Sequence, residues 1–128
     1  MIFLVLRFSF RPETSEEERA AVLARMRRTA SVGSVSCSTV GPDLSDGPEG
    51  YTHVYCAGVA DLGALRSYLY DPVHLEGDRE ILPRLARLAA FQLSDDPSPG
   101  LGEEIAAMHR EKLAAYPEWG RLLDAVPR

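Results

Sequence analysis

The sequence predicts one α+β domain in which strands and helices follow one another in the order β-α-β-β-α-β. Four short stretches have the composition or alternation of β-strands, and two segments between them carry apolar residues at helical spacing. At 128 residues the chain can bury a core of its own. A split order of this kind predicts one four-stranded sheet with the helices packed on one face.

Residues 2–10 predict the first strand, because one face is apolar throughout and the other is apolar over its first half. The continuous face consists of Ile2, Leu4, Leu6, Phe8 and Phe10. Pro12 ends the strand, and Thr14 or Ser15, with an acidic residue three positions on, predicts a capped helix that runs to about residue 30. The apolar stripe of this helix consists of Val22, Leu23, Met26 and Ala30.

The second and third strands are predicted at residues 34–40 and 51–60, with a loop between them. Glycine, proline and acidic residues dominate positions 42–50, which indicates a surface loop. Alternation along the third strand predicts that Tyr51, His53 and Tyr55 share one face. Buried hydroxyl and imidazole groups are costly when unpaired, so this polar stripe needs partners.

A conformational break brings an acid/base side chain and a phenol together at residues 68–74. Pro72 lacks an amide proton and pushes Asp71 out of the helical region, so the helix that begins after Asp61 should end or kink there. On an unbroken helix Tyr68 and His74 would point to nearly opposite faces, whereas the break lets them share a cavity. A helix N-cap followed by a structural histidine is the alternative.

After the break we expect a second helical piece at about residues 74–85 and a fourth strand at residues 88–93. Residues 95–102 then form a linker, residues 103–116 predict a helix, and Pro117 begins another. Apolar residues recur at helical spacing in this last helix, at Trp119, Leu122, Leu123 and Val126. We therefore divide the chain into a domain at residues 1–95 and an extension at residues 96–128 that packs on the same domain or on a partner copy.

Composition narrows the classes of function. Apolar residues at 45% and charged residues at 26% are typical of a soluble domain, and a net charge of −5 without a basic patch argues against nucleic acid or an anionic membrane as partner. The apolar run at residues 2–6 is too short for a signal peptide, so we expect a cytoplasmic protein with reduced Cys37 and Cys56. The histidines and cysteines lack metal-binding spacing, so no metal or cofactor is expected.

One face of the predicted sheet has no helix to cover it. A large exposed apolar surface favours association, and a second copy of the same chain is the usual cover. We therefore expect a homodimer.

Two motifs connect the sequence to a known family. Residues 50–53 read Gly-Tyr-Thr-His at the start of the third strand, and Tyr68, Pro72 and His74 follow. With these motifs in this strand order, residues 1–95 resemble the Dabb family, the stress-responsive dimeric α/β barrel domains, which have a ferredoxin-like fold. That family includes stress proteins of unclear activity, a plant hydroxynitrile lyase and a cofactor-free polyketide cyclase that makes olivetolic acid.

The resemblance to the cyclase implies roles for individual residues. His74 corresponds to its catalytic histidine, Tyr68 to the partner tyrosine and His53 to the strand histidine. The resemblance also implies a substrate pocket between sheet and helices, with the candidate lining residues Ile2, Leu4, Leu6, Val22, Leu23, Met26, Tyr51 and Tyr55. The cyclase histidine near the start of the first strand falls on Ile2, so either that role is absent or the substrate differs.

The resemblance and these residues together leave three functions open. In the first, His74 removes a proton next to a carbonyl and Tyr68 donates to the enolate oxygen, which closes a ring in a poly-β-ketone or a related intermediate of natural-product or antibiotic biosynthesis. In the second, the protein is a non-catalytic stress-responsive dimeric binding protein in which both residues are structural. An open cavity at His74 would favour catalysis. A haem-handling or cofactor-free oxygenase, with His109 as the spare ligand, is a third alternative.

Overall fold

The computed structural model describes residues 1–45 and 49–127, so the predicted loop at residues 42–50 lies partly outside the described residues. Within the described residues the chain forms four strands, β1 (Ile2–Phe10), β2 (Val35–Pro42), β3 (His53–Val59) and β4 (Leu85–Ser94). The helices are α1 (Glu16–Thr29), α2 (Leu62–Leu69), α3 (Pro72–Ile81), α4 (Leu101–Ala115) and α5 (Pro117–Asp124).

The strands form one antiparallel sheet in the order β2-β3-β1-β4, which confirms the predicted ferredoxin-like α+β fold. In the register of β1, Leu6 lies opposite Tyr55 of β3 and Ala90 of β4. Residues opposite one another share a face of the sheet. The even-numbered residues of β1 therefore lie on the same side as Tyr55 and Ala90, and they face the helices.

The core lies between this face of the sheet and helices α1, α2 and α3. Phe8 and Val59 from the sheet and Leu65 from α2 are fully buried. Helix α1 begins at a capping box, because Ser15 Oγ accepts from the amide of Glu18 while the Glu18 carboxylate accepts from the amide of Ser15. The predicted start of this helix is confirmed.

The predicted break between Tyr68 and His74 is present. Helix α2 ends at Leu69 and α3 begins at Pro72, with the Asp71 carboxylate accepting from the amide of Val73 at 2.9 Å. Helix α3 and strand β4 both begin earlier than the sequence predicts, at residues 72 and 85 rather than 74 and 88. Pro83 is the physical reason for the early strand, because a proline inside a helix removes a hydrogen bond and clashes with the preceding turn. A short 3₁₀ turn at Leu82–Arg84 makes the connection.

The C-terminal extension contacts the same chain. The Trp119 indole donates to Asp78 of α3, and the amide of Leu88 in β4 donates to the carbonyl of Pro127 at 3.2 Å. Ile105 and Met108 of α4 are buried. Helices α4 and α5 are therefore part of the folded unit beside α3 and β4.

The other face of the sheet is partly bare. The side chains of Phe91 and Leu93 in β4 are 46% and 53% exposed, and the neighbouring Phe3 and Val5 of β1 are only half-buried. This is the apolar surface that the sequence predicts to be left without helices. Among the described helices, none is long and apolar enough to cross a membrane.

Helices α1 and α3 approach closely at Gly77. A β-carbon at Gly77 would lie 2.9 Å from Thr29 Oγ1 and 3.3 Å from Arg25 Nε. Such contacts require the two helices to shift. A β-carbon at Gly102 in α4 would lie in open space.

We predict that Gly77→Ala lowers the free energy of unfolding by about 1–3 kcal/mol, because the added methyl overpacks the contact between α1 and α3. Gly102→Ala is the matched control and should leave stability unchanged or raise it by up to about 1 kcal/mol. Denaturant titration of both variants measures the difference. Equal stability of the two variants would show that the α1–α3 contact tolerates a methyl group.

Candidate active site

A cavity of about 150 Å³ opens between the sheet and the helices at the break between α2 and α3. The sheet contributes mainly apolar residues to its lining, which are Leu4, Val5, Leu6, Tyr55, Leu88, Ala90 and Phe91, together with the polar Gln92. Helices α2 and α3 contribute Tyr68, Leu69, His74 and Asp78, and the extension contributes His109, Trp119 and Leu123. A smaller space of about 30 Å³ shares several of these residues and is also lined by Met26 and Thr29 of α1.

The imidazole of His74 makes two defined contacts in the first turn of α3. Its Nδ1 lies 3.1 Å from the carbonyl oxygen of Tyr68, and its Nε2 lies 3.3 Å from Oδ2 of Asp78. A carbonyl oxygen can only accept a hydrogen bond, so Nδ1 carries a proton in this arrangement. Nε2 is therefore the nitrogen that can gain or lose a proton, and it does so beside a carboxylate.

Asp78 lies one helical turn after His74 and is nearly buried. Burial raises the pKa of its carboxyl, but the neighbouring His74, the hydrogen bonds from His74 and Trp119, and the charge of Lys112 outweigh burial and leave the pKa below its ordinary value. The indole Nε1 of Trp119 donates to Asp78 Oδ2 at 2.7 Å. Asp78 is therefore ionised at neutral pH and stabilises a protonated His74. The sequence prediction did not include it, although the spacing of four residues from His74 on one helix face was available.

Two phenols form a pair at the cavity wall. The hydroxyl oxygens of Tyr55 and Tyr68 lie 2.6 Å apart, and burial raises the pKa of both groups. Both phenols therefore keep their protons, and one proton forms the bond between them. This bond uses one of the two protons, and both residues line the cavity. The Tyr68 ring also packs against the His74 imidazole, with 4.5 Å between ring centroids.

Lys112 of α4 lies behind His74 and is fully buried. Its Nζ lies 3.5 Å from Nδ1 of His74 and 3.9 Å from the centroid of the Trp119 ring. Burial lowers the pKa of the Lys112 ammonium to about 8, although the Asp78 carboxylate acts in the opposite direction. The sequence prediction missed this residue. The amino-acid composition could have drawn attention to it, because Lys112 is the only lysine among the 14 Lys and Arg residues of the chain.

His109 of α4 is a second imidazole at the cavity. Its Nδ1 lies 2.9 Å from the carbonyl oxygen of Ile105, so Nδ1 carries the proton and the neutral ring has its lone pair on Nε2. The sequence prediction considered His109 only as a spare metal ligand. Within residues 1–45 and 49–127, no three His, Cys, Asp or Glu side chains are grouped as metal ligands.

The structure brings together some of the sequence-predicted site residues and not others. His74, Tyr68, Tyr55, Leu4 and Leu6 line the cavity, and Met26 lines the smaller space beside it. Three predicted lining residues belong to the core and do not reach either space: Ile2, Val22 and Leu23.

His53 lies on the helix-covered face of β3 but does not line the cavity. Its ring stacks on Phe8 at a centroid distance of 5.6 Å and meets Phe10 edge-on. Its Nδ1 lies 2.9 Å from the hydroxyl of Thr52. Burial lowers the pKa of His53, with further contributions from nearby arginines. The structure therefore places His53 in an aromatic cluster apart from His74.

The prediction that Tyr51 shares a face with His53 and Tyr55 is wrong. Strand β3 begins at His53, so the alternation does not extend back to Tyr51. The Tyr51 ring lies between the guanidinium groups of Arg7 and Arg87, at 4.7 Å and 4.9 Å from its centroid. Arg7 projects from the bare face of the sheet, so Tyr51 lies on the side opposite the cavity.

The chain belongs to the Dabb family, because the family model of the stress responsive A/B barrel domain matches residues 2–95. No curated protein matches the chain in sequence. The family match ends before α4 and α5, so Lys112, His109 and Trp119 come from a part of the chain outside the family domain.

Solved structures with low sequence identity share the fold. The hydroxynitrile lyase of Passiflora edulis is 16% identical with a TM-score of 0.68, over 77% of this chain and 96% of that protein. A dimeric ferredoxin-like protein of unknown function from Thermobifida fusca is 20% identical with a TM-score of 0.64. The match covers 73% of this chain and 89% of that protein. A Dabb family protein from Mesorhizobium loti is 17% identical with a TM-score of 0.64. The match covers 73% of this chain and 94% of that protein.

We predict that the burial of Lys112 makes stability depend on pH. Its pKa falls from the ordinary value of 10.5 to about 8 in the folded chain, so the unfolded chain binds more protons between these values. The free energy of unfolding should therefore rise by about 3 kcal/mol from pH 8 to pH 10.5, relative to a Lys112→Met variant that lacks the group. Denaturant titration of both proteins at several pH values measures this difference.

The pKa of Lys112 can also be measured directly. Because Lys112 is the only lysine, ¹³C-labelled lysine gives a single side-chain NMR signal, whose titration near pH 8 reports the buried ammonium. Titration at the value of a solvated lysine, with parallel stability curves for the two proteins, would contradict the prediction.

Proposed function

We propose that this protein is an acid/base enzyme that makes or breaks a carbon–carbon bond next to a carbonyl group in a compact, largely apolar molecule. The supporting observation is that a proton acceptor and a hydroxyl donor face the same apolar cavity. The acceptor is the His74–Asp78 pair, and the donor is the Tyr55–Tyr68 phenol pair. Acid/base chemistry at a carbonyl needs both groups, one for the proton and one for the developing oxyanion.

We infer a role for each group in bond formation. Nε2 of His74 removes the proton next to a carbonyl, and the Asp78 carboxylate stabilises the imidazolium that forms. The enolate oxygen accepts the free phenol proton of the Tyr55–Tyr68 pair as a hydrogen bond. The enolate carbon then attacks a second carbonyl, and His74 returns its proton to the resulting alkoxide. All protons and electrons balance without another reactant.

Ring closure of a poly-β-ketone is the finer form of this proposal. It is supported by the resemblance of His74 and Tyr68 to catalytic residues of a polyketide cyclase and by the mainly apolar lining of the cavity. An apolar enclosure that holds the two reacting carbons together contributes much of the acceleration in such reactions.

The size of the cavity favours a second candidate, cleavage of a small hydroxynitrile. A volume of about 150 Å³ accommodates a molecule of about the size of benzene, whereas ligand pockets are commonly about 300–1,000 Å³. In this reaction His74 would remove the hydroxyl proton, the bond between carbon and cyanide would break to leave an aldehyde, and the cyanide would take the proton from the imidazolium. One structural neighbour is itself a hydroxynitrile lyase.

A purely structural role for His74 is less consistent with the site. Removal of an aspartate and a lysine from water costs free energy that their mutual attraction does not always offset. The side chains of His74 and Asp78 keep 11% and 15% exposure at an open cavity, so a ligand can reach them. An open cavity at His74 favours an enzyme over a binding protein.

We also propose that the protein forms a homodimer through the bare face of the sheet. Phe91 and Leu93 expose large apolar side chains there, and a solved neighbour from Thermobifida fusca is described as dimeric. The expected cytoplasmic location, and the expected lack of nucleic acid and membrane partners, stay predictions.

We predict that His74→Gln lowers turnover by about 100-fold or more, because the proton acceptor is lost. Two probes represent the two candidates: lactonitrile, a hydroxynitrile smaller than benzene that is followed by release of acetaldehyde, and a linear β-triketone, followed by formation of the phenolic ring. Tyr68→Phe and Tyr55→Phe should each lower kcat less than His74→Gln and leave KM nearly unchanged.

The matched control is His53→Gln, which changes a histidine on the same sheet face but outside the cavity. It should retain activity on whichever probe the wild-type protein converts. A folded His74→Gln protein with wild-type turnover would place the base elsewhere. Lack of turnover of both probes by the wild-type protein would count against both candidate substrates.

We predict that Leu93→Lys produces a monomer, because it places a charge on the bare face. Light scattering should give about twice the chain mass of 14.1 kDa for the wild-type protein and about 14.1 kDa for the variant. Leu44→Lys is the control, since Leu44 is 93% exposed in a loop and should not affect the mass. A wild-type mass of one chain at micromolar concentration would exclude the dimer.

A further inference from the structure

The extension brings one charged group to the candidate active site, and the mechanism above does not use it. Lys112 is fully buried and does not line the cavity, so it cannot contact a substrate directly. Lysines are almost never fully buried unless they are paired, because removal of the ammonium from water is costly. Its Nζ lies 3.5 Å from Nδ1 of His74.

His74 therefore lies between two charges of opposite sign. The Asp78 carboxylate is 3.3 Å from Nε2, and the Lys112 ammonium is 3.5 Å from Nδ1. The carboxylate favours the protonated imidazolium, and the ammonium disfavours it. With Asp78 alone, the proton on Nε2 would be held more tightly, and His74 would be a poorer proton acceptor at neutral pH.

Trp119 holds the two charges in place. Its indole Nε1 donates to Asp78 Oδ2 at 2.7 Å, and its ring lies 3.9 Å from the Lys112 ammonium. One side chain of α5 thus contacts both the anion and the cation that flank His74. The charge–ring contact also stabilises an ammonium that has lost its water.

We propose that Lys112 is a positioning residue that acts through His74: its ammonium offsets the Asp78 carboxylate, so that Nε2 can exchange a proton with the substrate near neutral pH. The inference deepens the proposed function and rests on it for its catalytic consequence. The extension would then supply the electrostatic setting of a site whose scaffold belongs to the family domain.

The remaining groups around His74 do not supply this offset. From β3 and α2 the phenols of Tyr55 and Tyr68 face it, and burial raises the pKa of both, so they stay neutral. From α4 the imidazole of His109 also lines the cavity, with Nδ1 bound to a backbone carbonyl. From α3 the charged group is Asp78. Among the described residues that face His74, Lys112 is the cation that opposes it.

The test is an NMR titration of the histidine imidazoles in the full chain, which needs no substrate. Lys112→Met should move the titration midpoint of His74 to higher pH by about one unit or more, because a neighbouring cation is removed. Asp78→Asn should move it in the opposite direction. Arg110→Met is the matched control: it removes a cation from the same helix, but one that pairs with Glu103 at the surface, and it should leave His74 unchanged.

The wild-type protein provides a measurement that does not depend on the folding of a variant. Titrating groups this close are coupled, so the His74 signal should show a second, smaller inflection near pH 8, where Lys112 loses its proton. An absent inflection, or a Lys112→Met protein whose His74 titrates as in the wild type, would overturn the inference.

Activity separates this inference from the proposed function. If a probe is converted, the acidic limb of the pH–rate profile should move to higher pH in Lys112→Met, as the His74 titration does. A displaced titration without turnover of either probe would support the role of Lys112 and count against the proposed function. Turnover of a probe with an unchanged His74 titration would support the proposed function and count against the role of Lys112.

Discussion

The structure around the cavity depends on the burial of one ammonium group beside an imidazole. Lys112 can lose its water because Trp119 covers it and the Asp78 carboxylate lies beyond His74. The parts of this arrangement come from three helices: the imidazole and carboxylate from α3, the lysine from α4 and the indole from α5. The break at Pro72, the docking of the extension and the chemistry of the site are therefore coupled, and the loss of one of them would leave a buried charge without its partner.

Local signals in the sequence account for what could be predicted. Alternation defines the strands, and a proline predicts the turn that brings Tyr68 and His74 together, because both effects involve neighbouring residues. Asp78 was missed although helical spacing links it to His74, since a carboxylate in such a position usually faces water. The role of Lys112 depends on where α4 docks, which is a tertiary property that no short pattern encodes. Tyr51 was misplaced because the alternation begins only at His53.

The family domain and the extension make different contributions. Residues 2–95 supply the sheet, the helix break, the phenol pair and the His74–Asp78 pair, all within the part that matches the family. Helices α4 and α5 close one side of the cavity with His109, Trp119 and Leu123 and place a cation behind the imidazole. A family fold can thus remain the same while residues outside it change the shape and charge of its site, which is why family membership alone does not identify a substrate.

The single buried lysine also determines how the protein reacts with reagents that acylate amines. Because every other basic side chain besides histidine is an arginine and Lys112 is fully buried, residues 1–45 and 49–127 offer acylating reagents no exposed lysine in the folded state. Acylation of Lys112 requires α4 to move away from α3, so its rate measures how often the extension detaches. Slow modification of this single lysine would therefore follow the opening of the site over time.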